Sequence, residues 1–350
     1  MENRERDSLI NQRIVIAIGD PAGIGGEVTL KALGSPQLPS TMRPLLIGCK
    51  KNLELTYEKL NSKGIEILAN PKDLEIKDLP INEEITPGKP NAKTGDLSFK
   101  WLTHATEYVL RGEARALVTA PIAKHFWHQA GHIYPGQTER LAELAKIRNP
   151  SMLFTAVSPK NGWRLNTLLA TTHIPLAKVA KQLTPELIEY KLNTLLSFCK
   201  KFKDKPIIAI SGLNPHSGEG GQLGKEEVEW LIPLIKQWQA KNPTIKVFGP
   251  IPPDTCWLRA AQAWQKQPDA NTPDGFLALY HDQGLIPMKL IAFDQAVNTT
   301  LGLPFIRTSP DHGTAFDIAG RGDADPTSML AAIETGWELS TTTNQFNCFK

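Results

Sequence analysis

The sequence predicts an α/β protein with a largely parallel, doubly wound sheet, and three observations lead there. Short β-branched runs alternate with segments of helical period along most of the chain. Most of those runs stop in a Gly, Pro or polar turn, as strands do on leaving a sheet. The chain has 350 residues, 41% hydrophobic and 21% charged, an ordinary globular composition but more than one hydrophobic core usually holds. Two α/β units are therefore expected.

The first run, RIVIA, enters GDPAGIGGE, a Gly-rich turn followed by a helix start. It spells neither G-x-G-x-x-G nor a Walker sequence, so a tight turn is preferred to a phosphate cradle. Asp20 either acts there or caps the turn. PLLIGCK, ALVTAPIAK, LNTLLATTHIP, PIIAISGLNPHSG, IKVFGPIPPD and GFLALYHDQG follow as further strands with their exit turns. PELIEYKLNTLLSFCKKF and KEEVEWLIPLIKQWQAK carry the helical period between them. MENRERDSLINQR reads as a polar lead-in and ELSTTTNQFNCFK as a loose end, with no internal repeat between.

Several function classes fall away on composition. No apolar run is long enough to cross a bilayer, and the N-terminus lacks an apolar signal region, so a cytoplasmic protein without membrane contact is expected. A net charge of +3, widely dispersed, argues against nucleic acid while leaving room for a basic pocket that binds an anionic metabolite. Cys49, Cys199, Cys256 and Cys348 form no C-x-x-C pair and read as reduced thiols.

In open parallel sheets ligands gather beyond the carboxyl ends of the strands. His173, His216 and His281 each stand just past a different predicted strand, so they can converge on one metal ion and leave positions open for water or substrate. The competing reading makes each an ordinary polar loop residue. Lys289, Asn298 and Arg307 follow His281, two cations and an amide suited to a phosphate or carboxylate, and the surrounding Gly and Pro favour loops. SPDHGTAFDIAGRGDADP gathers His312, Gly313 and Asp317 in a small-residue stretch that lets main chain approach a flat polar ligand. His104 lies in a helical pattern and reads as a surface or packing residue.

Taken together, GDPAGIG, TAPIAK, TTHIPL, GLNPHSGEGG, YHDQGLIP and VNTTLGLPFIRTSPDHGTAFDIAG resemble the 4-hydroxythreonine-4-phosphate dehydrogenase family, in order from about Ile14 to Leu330. The resemblance implies a two-lobed α/β/α fold like that of isocitrate and isopropylmalate dehydrogenases. Residues 1–125 with 282–350 would form one lobe and 126–281 the other, with dimer contacts on the second lobe and the active site in the cleft between them. It further implies a homodimer with shared active sites and a divalent metal on His173, His216 and His281: zinc, or else magnesium or cobalt. Substrate would meet Gln137, Thr138, Lys289, Asn298 and Arg307, with Asp254 as a catalytic acidic candidate and His312, Gly313 and Asp317 on NAD or NADP; the proton acceptor would be a metal-bound hydroxide, Asp254 or a nearby histidine.

The implied reaction oxidises the carbon 3 hydroxyl of 4-phosphohydroxythreonine and then decarboxylates the product to 3-amino-2-oxopropyl phosphate, in pyridoxal phosphate biosynthesis. Two departures stand out: Gln137 replaces the family's usual histidine, and Gly26 its proline. The first keeps open a dehydrogenase of 4-phosphothreonate or 4-phosphoerythronate. A catalytically silent scaffold would predict loss of the three histidines, and all are present.

Overall fold

The computed structural model describes residue 10 and residues 12–342. Most of the expected lead-in lies outside them, as do Cys348 and the end of the chain from 343 to 350. The strands, in chain order, are β1 (Arg13–Ala17), β2 (Arg43–Gly48), β3 (Glu75–Asp78), β4 (Ala116–Thr119), β5 (Ser151–Val157), β6 (Arg164–Leu169), β7 (Ile207–Ser211), β8 (Lys246–Ile251), β9 (Gly275–Ala278), β10 (Val297–Leu301) and β11 (Ile306–Pro310). All seven expected runs form strands; β3, β5, β10 and β11 are additions to that reading.

The chain divides into two compact units, Met1–Pro150 with Val297–Lys350, and Ser151–Ala296. In the first, strand order is β3-β2-β1-β4-β11-β10, parallel throughout except for the β10–β11 pair. Ile14, Val15, Ile16, Leu46 and Ile47 are fully buried, as parallel strands covered on both faces require. Helices Gly25–Leu33, Ala92–Leu110 and Lys124–Gln129 bring Leu30, Trp101, Leu102 and Trp127 into that core.

In the second unit the order is β5-β6-β9-β7-β8, with β6, β9, β7 and β8 mutually parallel and β5 antiparallel to β6. Phe154, Leu165, Trp257 and Phe276 form its core, completed by Leu285, Met288 and Ala292 from helix His281–Ala292.

These divisions at 150/151 and 296/297 stand in place of the 125/126 and 281/282 read from sequence. The reason is packing: Trp127 and Leu141 join the first core, whereas Leu285 and Met288 join the second. Other local readings also change. Lys289 lies on a helix, Asn298 on β10 and Arg307 on β11, none of them in a loop. The KEEVEW segment opens with a wide turn at Glu227–Leu231 before the regular helix Ile232–Lys241. Part of the supposed loose end is the last turn of helix Thr327–Thr341, where Leu339 is buried. Among the described residues no helix is long and apolar enough to cross a membrane. Cys49, Cys199 and Cys256 are free and buried.

Candidate active site

Four neighbouring parallel strands of the second unit, β6, β9, β7 and β8, end on the same edge of the sheet, and each is followed by a candidate residue. His173 lies beyond β6, His281 beyond β9, His216 beyond β7 and Asp254 beyond β8. The rings of His173 and His281 stand 5.5 Å apart, centroid to centroid. Two imidazoles on one tetrahedral zinc, with Zn–N near 2.0 Å, would place their centroids about 5 Å apart, close to the spacing of this pair. Both line a cavity of about 210 Å³ with Thr171, Tyr280 and Asp282. Among the described residues, however, no group of three His, Cys, Asp or Glu side chains is placed to hold a metal. The expected triad is therefore brought together only in part within one chain.

Each residue of the His-Asp-Gln-Gly sequence after β9 has a distinct physical task. His281 Nδ1 donates to Asp282 Oδ1 at 2.7 Å, which leaves Nε2 as the ring atom available to a ligand. Gln283 is buried; its Oε1 accepts from Leu279 N at 2.7 Å and its Nε2 donates to Gly212 O at 2.8 Å. Gly284 is a glycine because a Cβ there would lie 2.6 Å from Leu169 Cδ2 and 2.9 Å from the Ala278 methyl.

His216 sits in an unusual backbone. His216, Ser217, Gly218, Glu219 and Gly220 have φ of 53°, 52°, 81°, 45° and 65°, a continuous left-handed turn. Left-handed backbone costs a non-glycine residue roughly 1–2 kcal/mol, so His216, Ser217 and Glu219 together store about 3–6 kcal/mol. Glu227, fully buried, offsets this: its Oε1 accepts from Leu213 N and Asn214 N at 2.8 Å each, and its Oε2 accepts from Asn214 Nδ2 at 2.9 Å.

Among the anion-binding candidates of the first unit, Arg307 on β11 is 3% exposed. Its four hydrogen bonds reach Thr119 Oγ1 twice, Thr300 Oγ1 and Gln137 Oε1, all neutral oxygens. Burial lowers its pKa to about 10, and the charge of Glu139 only partly opposes that. Gln137 and Thr138 begin helix Gln137–Leu144, whose N-cap Gly136 offers no side-chain cap, so the amide end of the helix favours an anion. Gln137 Nε2 donates to Ala120 O, fixing its carbonyl toward Arg307. Asn298 Oδ1 is buried without a hydrogen-bond partner, an acceptor left for a donor from outside the chain.

Past β11, His312 Nδ1 contacts Gly313 O at 3.0 Å while its Nε2 is buried and unpartnered. A donated Nδ1 proton makes Nε2 an acceptor for a ligand hydroxyl or amine. Gly313 and Asp317 in the same loop are exposed. Asp20 caps its turn: its Oδ1 accepts from Ala22 N and its buried carboxyl is held above the usual range by desolvation. Lys289 Nζ lies 5.9 Å from the Phe293 ring centroid.

The family model described as pyridoxal phosphate biosynthetic protein PdxA matches residues 40–336. The chain belongs to the PdxA family. A relative from Synechococcus sp. (strain RCC307) named 4-hydroxythreonine-4-phosphate dehydrogenase is 59% identical over 328 residues, covering 93% of this chain and 99% of the relative. A D-threonate 4-phosphate dehydrogenase from Pectobacterium atrosepticum is 38% identical, over 93% of this chain and 99% of its own. The crystal structure of 4-hydroxythreonine-4-phosphate dehydrogenase from Klebsiella pneumoniae superposes with a TM-score of 0.78 at 35% identity, over 94% of this chain and 98% of that one.

Reading the strand exits and the residue types beyond them singled out the three histidines and Arg307 as candidates but not the residues that hydrogen-bond around them. Asp282 and Gln283 were visible in the quoted motif and Thr119 at the end of ALVT, whereas Glu227 carried no signal beyond a charged helix start.

Proposed function

We propose that the chain is a metal- and NAD(P)-dependent dehydrogenase that oxidises the carbon 3 hydroxyl of 4-phosphohydroxythreonine. Loss of carbon dioxide then gives 3-amino-2-oxopropyl phosphate for pyridoxal phosphate synthesis. The observation that carries the reading is Arg307, a buried cation whose hydrogen bonds all go to neutral oxygens, because such a group is stabilised when a phosphate arrives. Thr138 and the start of its helix add backbone donors, and Lys289 supplies a second positive charge for the substrate. Asn298 Oδ1 accepts from a substrate hydroxyl or amine.

His173 and His281 are the donors this chain brings together for a divalent ion of the zinc type, which polarises a hydroxyl and stabilises enolate charge when bound. Asp282 fixes the proton of His281 on Nδ1. Asp254, exposed beyond β8, is the acidic group assigned to proton transfer. His312, Gly313 and Asp317 receive the adenosine side of the nicotinamide cofactor, with the His312 Nε2 acceptor as its fixed polar contact. In this reading the active enzyme is a cytoplasmic homodimer, and a second copy completes the metal set with His216.

The test supplies dialysed, metal-restored protein with 4-phosphohydroxythreonine and 4-phosphothreonate in parallel and follows NADH or NADPH. Preference for the amino substrate supports the proposal. Preference for the hydroxy acid favours the second reading, which Gln137 beside Arg307 and the D-threonate 4-phosphate dehydrogenase relative keep in view. Turnover of neither overturns both.

A further inference from the structure

We propose that Glu227 and Gln283 are positioning residues that hold the left-handed turn carrying His216 ready for metal, so that they set metal affinity without touching the ion. This rests on the reading of His216 as a ligand.

The turn from Pro215 to Gly221 has no regular helix or sheet to hold it in shape, and three of its left-handed residues carry side chains that disfavour this backbone. Two buried groups hold its entrance. The Glu227 carboxylate takes the backbone N–H groups of Leu213 and Asn214 and the Asn214 side-chain amide. Gln283 takes hold of Gly212 by its carbonyl at 2.8 Å, and the other end of the same amide accepts from Leu279. Leu279 lies two residues before His281. One side chain therefore joins the segment that carries His281 to the segment that carries His216. Farther along, Ser217 Oγ donates to Pro250 O at 3.1 Å, which closes the turn against β8.

A carboxylate and an amide placed in this way do different jobs. A carboxylate side chain offers acceptor oxygens at both positions for the Leu213, Asn214 backbone and Asn214 side-chain donors, whereas an amide at Gln283 both accepts from Leu279 and donates to Gly212. A mainly structural role would lower stability alone. A positioning role lowers metal affinity, because a displaced turn must be reordered before His216 can bind.

The test titrates metal-free protein with Co²⁺, whose absorption reports histidine ligation, for wild type, His216→Ala, Glu227→Gln and Gln283→Met, alongside thermal unfolding and turnover at saturating cobalt. We expect Glu227→Gln and Gln283→Met to bind Co²⁺ about 10- to 100-fold more weakly and to regain most of their turnover when cobalt is raised. Wild-type-like affinity in both, with affinity lost in His216→Ala, would overturn the positioning role and leave the metal reading intact. Unchanged affinity in His216→Ala would overturn the ligand reading and this inference with it. If Glu227→Gln fails to fold, Gln283→Met and Asn214→Ala decide the matter. Asn214→Ala removes one bond to Glu227 and keeps the two from the backbone, so a smaller loss of affinity is expected from it.

Discussion

Arg307 concentrates the conflict between stability and binding in one side chain. Burial that lowers its pKa from the ordinary guanidinium range to about 10 corresponds to roughly 3 kcal/mol of unfavourable burial, carried until an anion compensates it. Arg307→Met is therefore expected to leave the protein as stable or about 1–2 kcal/mol more stable in denaturant titrations, while raising KM for the phosphorylated substrate about 100-fold. A destabilised variant with unchanged KM would make Arg307 a structural residue. Gln137 bears on the same charge from a neutral amide, so binding should draw no pH dependence from this position. In Gln137→His, a ring titrating near pH 6.5 should make KM, measured relative to wild type, fall as pH drops from about 8 to 6. A constant ratio across that range would show that position 137 does not face the bound anion.

At the scale of elements, helix Pro185–Cys199 carries Lys191 into the core of its unit, with Nζ donating to Ser151 Oγ at 2.8 Å. Desolvation lowers its pKa from 10.5 to about 8. The folded protein then binds this proton less tightly than the unfolded chain. The cost is fully present below pH 8 and fades as pH rises toward 10.5, so this group makes stability increase over that window. Lys191→Met should raise the unfolding free energy at pH 7 by about 1–2 kcal/mol and flatten the alkaline rise; an unaltered pH profile would remove Lys191 as its source. Helix His281–Ala292 illustrates a different balance. The sequence favoured loops around Lys289 because of the Gly and Pro residues near it, Pro287 among them. Gly284 is instead the point of closest approach to β6 and β9, and buried Leu285 and Met288 stabilise the helix against them.

At the scale of the whole molecule, one chain places His173 beside His281 and no third ligand with them among the described residues. Mixing inactive His173→Ala and His216→Ala proteins should therefore restore part of the activity if subunits exchange and share the metal. Absence of rescue, with exchange confirmed by a tagged subunit, would place all donors in one chain. Much of this organisation was legible beforehand, because a parallel strand that ends in a polar turn announces itself by local composition. RIVIA, IIAIS and GFLA are such strands, and their exits mark His216 and His281. Strands β10 and β11 were not legible, since VNTTL and IRTSP are too polar to read as buried. Sequence by itself determined the family, the alternation of strand and helix and the residue types available for chemistry, all of which are written in short local patterns. Tertiary structure decided that Arg307 lies buried among neutral oxygens and that Glu227 and Gln283 hold the His216 turn, because such pairings join residues whose proximity no local pattern records.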